Sequence, residues 1–472
     1  MAITDYFLKT GARRHLLAEI TRSDANATVY RFADQPYTTE PGDTPANCPY
    51  SAILAQLPEL SRKLPDFFSG GAQTSFGTLE LSDRRSNYTG TAVGYGEMTL
   101  PRGAEVTLKL AAPRLLFPFT DALVLGKGKV ARVGGSSDGM LSVEMTDGSD
   151  AIERAVIPIT TTPLGFGKVR NAEPFLTNPG LLVYTLHDGP INAVLAVYDD
   201  GVLIPGSGYT VNLTAATVTL NASPAGRVTV DFEGHKDGGT TYYTTTEQII
   251  GELLDRAGFA SLSRTFTSLP TGLIGLYLKE TTTLGDLLTS LMRGCAGYWF
   301  IKSDGTFKAA QFPIPGTPGD VYNENNLLEE VDYSDDDRLH KEIRYAYQRN
   351  WTQYQSRTGA STTQADFSSR TWYEGTVVDG APLAEYVYQT SPILETYFDL
   401  NGDAQTAATR YLNIFRQPRT ILDNVLVPFL YTRELGDAIT VEFDGLAFDG
   451  IVTGIVSRFD GDYPVQQLEV FA

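Results

Sequence analysis

The residue types that bind metals are thinly spread in this chain. Its four histidines, His15, His187, His235 and His340, form no His-x-x-x-His pair, and Cys48 and Cys295 form no Cys-x-x-Cys pair. No zinc-type ligand set is expected from such spacing. Carboxylates gather at Asp332, Asp335, Asp336 and Asp337, and in Asp-Gly pairs at 138–139, 147–148 and 460–461. A calcium loop of the EF-hand kind needs Asp-x-Asp-x-Asp-Gly closed by a glutamate at position 12. The nearest approach is Asp399, Asn401, Asp403, which then has Ala404 in place of the glycine and Arg410 in place of the glutamate. The 332–337 run is read as a solvated acidic turn.

Covalent chemistry finds as little support. Gly135-Ser136-Ser137-Asp138-Gly139 carries the letters of Gly-x-Ser-x-Gly, but that nucleophile elbow needs a strand before it and a helix after it. Here strand-like GKVARV and LSVEMTDG flank it, so a Gly/Ser/Asp hairpin loop is expected. Gly126-Lys127-Gly128-Lys129 lacks the spacing of a phosphate loop, and Val130 continues a strand instead of opening a helix. A glycosidase carboxylate pair is set by space and not by sequence spacing, so among 56 Asp and Glu no motif marks one. Trp299, Trp351 and Trp372 are candidates to stack on a sugar, although core or interface packing is the preferred reading. The expectation is a protein without catalytic, cofactor-binding or metal-binding residues, and not an enzyme.

The elements around these residues point to a mainly β chain with a small α/β module. At 472 residues the chain exceeds what one core supports, so several domains are expected. Its 25 Tyr and 23 Phe favour strands, and its 45 Gly and 25 Pro are scattered as turn punctuation. The net charge of −19 argues against ordinary nucleic-acid binding, because an acidic surface repels phosphates; a wall past which a polyanion slides is compatible with it, and plain solubility charge is the preferred reading. Two cysteines make no disulfide framework, and a reducing cytoplasm fits. Neither a signal peptide nor a membrane-spanning helix is expected, and the Asn-x-Ser/Thr triplets at Asn26, Asn87, Asn212, Asn221 and Asn350 are read as chance.

Along residues 1–155 short alternating strands recur: two around the turn Ser23-Asp24-Ala25-Asn26, then 75–82, where Phe76 joins Leu79 and Leu81 through a bulge near Gly77. Strands spaced by about 8–12 residues with turns between them signal a sandwich or barrel. Residues 156–237 form a second β unit with a tight hairpin at Asp199-Asp200-Gly201. Residues 238–318 form the small α/β domain. Its first helix is capped by Thr244 with Glu247, its second starts at Thr283, and its hairpin turns at Asp304-Gly305. Residues 319–472 return to strands, with a polar Ser/Thr/Gln loop after Trp351 and one helix capped by Asp403 and ended by Pro418. The first and last thirds share an order, strands with one helix between, which hints at two related barrels.

This organisation resembles that of siphophage baseplate hub and tail-tip proteins. The resemblance lies in a strand near 30–33, the Thr/Pro loop from Tyr37 to Pro45, Pro49-Tyr50, and a helical segment through Leu54 and Leu57 that Pro58 interrupts. Phe68-Ser69-Gly70-Gly71, Gly77 to Leu81, Thr244 to Ile250, Thr283 to Leu288 and the closing Leu435-Gly436-Asp437 continue it. It implies two tube-like β-barrels, at 1–155 and 319–472, and a homotrimer whose six barrels join a tail tube above to a tip below. It further implies tail neighbours on both sides (the tube ring above, tip or fibre proteins below), and DNA passing through the lumen without specific binding. No membrane insertion is implied, and the protein is placed in the virion after assembly in the host cytoplasm. The unit at 156–237 departs from that outline and reads as an inserted β domain. A tail-associated glycan hydrolase or a sugar-binding adhesin, the latter with an aromatic platform on 156–237, are the competing functions.

Overall fold

The structure, a computed structural model, describes residues 3–7, 12–22, 28–64, 69–82, 102–113, 116–135, 140–238, 240–316, 318–336, 338–382, 384, 386–428, 433–459 and 465–472. The turn expected at 23–26, the Ser136–Gly139 loop, Phe68, Asp337 and the Asp-Gly pair at 460–461 lie outside the described residues. The chain is mainly β and divided among several sheets, as its turn spacing predicts. No helix among the described residues is long and apolar enough to cross a membrane.

The first strands are β1 (His15–Thr21), β2 (Val29–Ala33), β3 (Pro49–Ala52), β4 (Leu54–Gln56), β5 (Leu60–Lys63), β6 (Gln73–Phe76), β7 (Thr78–Ser82), β8 (Glu105–Ala111), β9 (Leu123–Gly135) and β10 (Met140–Thr146). One sheet runs in the order Tyr37–Thr38, β3, β2, β1, β8, β9, β10, β7, β4. The segment 49–56 pairs at both sides of this path: β3 runs parallel to β2, and β4 antiparallel to β7. Bending at Ile53, it closes the sheet around Ile20, Phe32, Leu79, Leu108 and Val143. The helical turn expected through Leu54 and Leu57 is therefore a strand; both leucines are buried in that core, and pairing with β7 outweighs local preference. The bulge expected at Gly77 is instead the point where the chain leaves one sheet for another, since Phe76 pairs with Leu60 whereas Thr78 begins β7.

In the middle, β11 (Leu164–Ala172), β12 (Phe175–Asn178), β13 (Val183–Thr185), β14 (Ile191–Asp199), β15 (Tyr209–Asn212), β16 (Thr217–Leu220) and β17 (Val228–Asp237) build a sandwich. Its sheets are ordered 202–203, β14, β17, β11, β18 and β12, β13, β16, β15, where β18 is Gly275–Leu278. Val169, Val197, Val218, Val230 and Phe232 fill the space between them. The hairpin at Asp199-Asp200-Gly201 forms as the sequence predicts, with positive φ at Asp200 (48°) and Gly201 (82°).

Helix α1 (Thr246–Arg256) is capped one residue later than expected, by Thr245, with Gln248 completing the reciprocal box in place of Glu247. Helix α2 (Leu284–Gly294) starts after its Thr283 cap as read from the sequence. Strands β19 (Gly297–Ile301) and β20 (Phe307–Gln311) make the hairpin turning at Asp304-Gly305.

The last stretch holds β21 (Asp320–Tyr322), β22 (Asp332–Asp336), β23 (Glu342–Tyr347), α3 (Thr362–Ser369), β24 (Tyr373–Val378), α4 (Asn401–Phe415), β25 (Arg419–Pro428), β26 (Ala438–Phe443), β27 (Leu446–Arg458) and β28 (Val465–Phe471). Three expectations are corrected here. The acidic run at 332–336 is a strand paired with β25, not a turn. The polar loop after Trp351 contains α3, capped by the Ser361 hydroxyl. Helix α4 begins at Asn401, which leaves Asp403 in its first turn, where a carboxylate offsets the helix dipole without capping it.

Two four-stranded paths have the same connectivity. The order β8, β9, β10, β7 near the N-terminus matches β26, β27, β28, β25 near the C-terminus, antiparallel at every step. The three meander strands have 7, 13 and 7 residues in the first path and 6, 13 and 7 in the second. Each long strand carries a bulge past its middle, between Val130 and Arg132 or between Val452 and Gly454. An earlier strand, β4 or β22, lies antiparallel to the strand that ends each path, β7 or β25. Because β4 completes the closed sheet through Leu54, Leu54→Ala is expected to cost about 3 kcal/mol in denaturant unfolding.

Candidate functional site

The densest chemistry lies where the β units meet. Strand β5 pairs with the second half of β27, Leu60–Lys63 against Gly454–Ser457, so a strand from the N-terminal region extends the C-terminal sheet. Arg62 sits in that ladder with its guanidinium ion-paired to Glu434, both side chains buried. Phe300 lies under Arg62 at 5.9 Å, and the Ser303 hydroxyl donates to Glu434 at 3.0 Å. The Leu435-Gly436-Asp437 turn belongs to this junction. The Tyr298 hydroxyl donates to the Leu435 carbonyl at 3.0 Å, and Gly436 has φ of 85°. A Cβ at Gly436 would lie 1.8 Å from the Tyr298 hydroxyl, so both conformation and space demand glycine. Burial raises the pKa of the Asp437 carboxyl, partly offset by the Glu434 N–H that it accepts at 2.9 Å.

A second junction ties the sandwich to the C-terminal region. Arg170 on β11 forms a two-point contact with Asp399, Nε to Oδ1 at 2.9 Å and Nη2 to Oδ2 at 3.2 Å, and faces Asp231 at 3.5 Å. Asp231 accepts the Asn171 N–H at 2.6 Å, and the Asn171 amide donates to the Asn350 side chain at 2.8 Å. Burial pushes the Asp231 carboxyl upward against these partners. The calcium-like letters at 399–403 are thus otherwise engaged, with Asp399 held by Arg170 and Asn401 accepting from Tyr345 at 2.8 Å.

Two histidines far apart in sequence meet beside α1. His187 Nδ1 accepts the Gly165 N–H at 3.0 Å, which leaves its proton on Nε2, 3.0 Å from His235 Nδ1. Asp188, Glu252 and Arg256 surround the pair. Burial pulls His187 down to about 3 and also lowers His235, so both rings are neutral near pH 7. Spacing alone hides this pair; the register that sets Ile191 opposite His235 is what brings His187 close. Of the other two, His15 is half-buried and His340 buried, its Nδ1 3.2 Å from the Gln389 carbonyl. Among the described residues no group of three or more His, Cys, Asp or Glu is placed to hold a metal ion.

The remaining candidates are structural in position. Gly126 to Lys129 lies inside β9, and the Gly135–Gly139 segment joins β9 to β10, which form an antiparallel hairpin. Trp299 is buried and donates to Thr289 at 3.2 Å, while Trp351 and Trp372 are half-buried. Trp351 packs between Arg349 at 4.6 Å and Tyr397 at 6.3 Å. Cys295 is buried against Thr246, and its thiol is pushed up to about 12. An acidic cleft of about 390 Å³ beside α1 is lined by Asp237, Glu247, Glu252 and Asp255, of which Glu252 and Asp255 are held by Arg256 and Arg264.

Two measurements test these junctions. Arg62→Met strands Glu434 in the interior and is expected to cost about 3 to 5 kcal/mol, most of it regained in Arg62→Met/Glu434→Leu. For the histidines, the unfolded chain binds a proton near pH 6.5 whereas the folded one does not until about 3. Stability is therefore full above pH 6.5 and falls as the pH drops, with His187 alone removing about 2 kcal/mol by pH 5. Urea unfolding between pH 5 and 8 reads this slope, which His187→Gln is expected to flatten.

No protein-family model and no curated protein sequence matches the chain. Solved structures do. A 43 kDa tail protein of prophage MuSo2 from Shewanella oneidensis matches with TM-score 0.42 and 10% identity, over 97% of this chain and 98% of that one. A tail protein from Neisseria meningitidis MC58 gives 0.46 and 10%, over 97% and 96%. Prophage tail protein gp18 from Listeria monocytogenes EGD-e gives 0.43 and 9%, over 96% and 94%. Tail and baseplate proteins of phages and prophages are thus among the structures to which this chain is similar.

Proposed function

We propose that the chain is a structural, non-enzymatic component of a phage-type tail, a hub ring of three copies that joins the tail tube to the tip. The observation that carries this reading is the repeated sheet: two units of the same connectivity in one chain let three chains present six. The units are tied side by side by β5 and by the buried Arg62–Glu434 pair, so their spacing within a chain is fixed. The C-terminal sheet supports association as well. Its edge strands β21 and β22 carry exposed Val321 and Tyr333, and the β26–β27 tip exposes Leu446. Apolar groups on sheet edges favour burial against a neighbour. The net charge of −19 suits a lumen through which DNA slides without sticking. In this reading the proteins above and below the ring are further tail components, the protein resides in the virion, and assembly takes place in the host cytoplasm.

Light scattering of the purified chain, with negative-stain imaging of the same fraction, is expected to give three times the 51.4 kDa chain mass and a ring with a hole. Tyr333→Glu is expected to shift that species toward monomer without changing the far-UV spectrum. A stable monomer at all accessible concentrations, or a compact oligomer without a hole, counts against the ring.

A further inference from the structure

A cleft of about 690 Å³ opens at one end of the sandwich between β12 and the start of β17. That volume falls within the range of small-ligand sites. Three charges converge on it: Glu173 is ion-paired to Lys279 at 2.6 Å and lies 3.8 Å from the Arg227 Nε. In a chain of net charge −19, two cations thus face one carboxylate here.

Arg227 is held in place without being used up. Its backbone N–H is fixed by Asp200 at 2.9 Å, and its guanidinium lies 5.8 Å from the Tyr354 ring centre. That guanidinium makes no hydrogen bond among the described residues; its Nε is within ion-pair reach of Glu173, and its terminal N–H groups stay unbonded at the cleft it lines. Glu173 is fixed from behind, its carbonyl accepting the Tyr277 hydroxyl at 2.9 Å and its N–H donating to Thr352 at 3.0 Å. The opposite lining is apolar with a hydroxyl: Phe175, Leu176 and Tyr184, whose phenol has no hydrogen-bond partner among the described residues.

We propose that this cleft binds a carboxylate-bearing saccharide, with Arg227 taking the carboxylate and the Phe175–Tyr184 wall taking a sugar face. A guanidinium matches a carboxylate through two parallel bonds, which is the geometry left open here. Glu173 and the Tyr184 hydroxyl then serve ring hydroxyls. An acidic peptide fits less well. Strand β12 is an edge, but a register shift between Leu176 and Asn178 breaks the ladder that an added strand would need. The inference does not depend on the ring, since every contributing residue belongs to one chain.

The test is calorimetric titration of the full chain with a galacturonic-acid oligomer and with a neutral glucose oligomer of equal length. Binding of the acidic oligomer alone is expected, weakening with salt and falling about tenfold in Arg227→Ala, the scale of a lost charged hydrogen bond. Glu173→Gln removes the competing carboxylate and is expected to tighten binding of the same oligomer. No binding of the acidic oligomer, equal binding by Arg227→Ala, or tighter binding of an oligoglutamate peptide each overturns the proposal. Recording the oligomeric mass of every sample separates a failed ring from a failed cleft.

Discussion

Everything in this molecule hangs on a ladder between residues that are almost the whole chain apart. Strand β5 ends within the first 63 residues and pairs with Gly454–Ser457, near the C-terminus. Such a contact closes a very long loop, and although that entropic cost rises only slowly with length, it has to be met by contacts that form together. Here they do: the Arg62–Glu434 pair is buried in the same seam, and Phe459 crosses from the end of β27 into the core of the N-terminal sheet. A buried ion pair adds little net stability over a well-packed apolar pair. Its geometry is demanding, however, and that demand fixes how the two sheets sit against each other. The 238–318 module serves the same seam, because Tyr298, Phe300 and Ser303 all touch it.

The local part of this design was legible in the sequence. Alternation, turn residues and helical stripes placed β16, the 199–201 hairpin, α2 and the β19–β20 hairpin, because each is decided by contacts within a few residues. What escaped was decided at a distance. Leu54 and Leu57 look helical beside one another, yet their burial against Leu79 and Leu81 makes them part of a strand and its exit. Gly77 reads as a bulge because its neighbours alternate, whereas the chain changes sheets there. The candidate sites followed the same rule. His187 and His235, or Glu173, Arg227 and Lys279, have no spacing that marks them, since strand register and sheet packing bring them together. The hint of two related units was visible as element order, but the matching strand lengths and bulges needed the paired structure.

The repeated sheet and the sandwich obey different physical requirements. The C-terminal sheet leaves apolar side chains exposed on its edge strands, Val321 on β21 and Tyr333 on β22. The sandwich closes its own core between two sheets, and its attachment is polar: Arg170, Asp231, Asp399, Asn171 and Asn350. A buried polar network of this kind is costly unless every member is satisfied, and satisfied it is specific in orientation. The sandwich is therefore held at a set angle to the C-terminal region, not tethered loosely to it.

That rigidity bears on what the cleft beside Arg227 can do. Glu173, at its rim, donates its N–H to Thr352, and Arg227 leans on Tyr354; both partners flank the segment that Asn350 anchors. A ligand that engages Arg227 thus presses on the junction between sandwich and C-terminal region, not on an isolated lobe. A ligand there shifts that junction only by the difference in its affinity between two states of it. Arg170 is committed to Asp399 at two points, and that contact holds the sandwich against the C-terminal region.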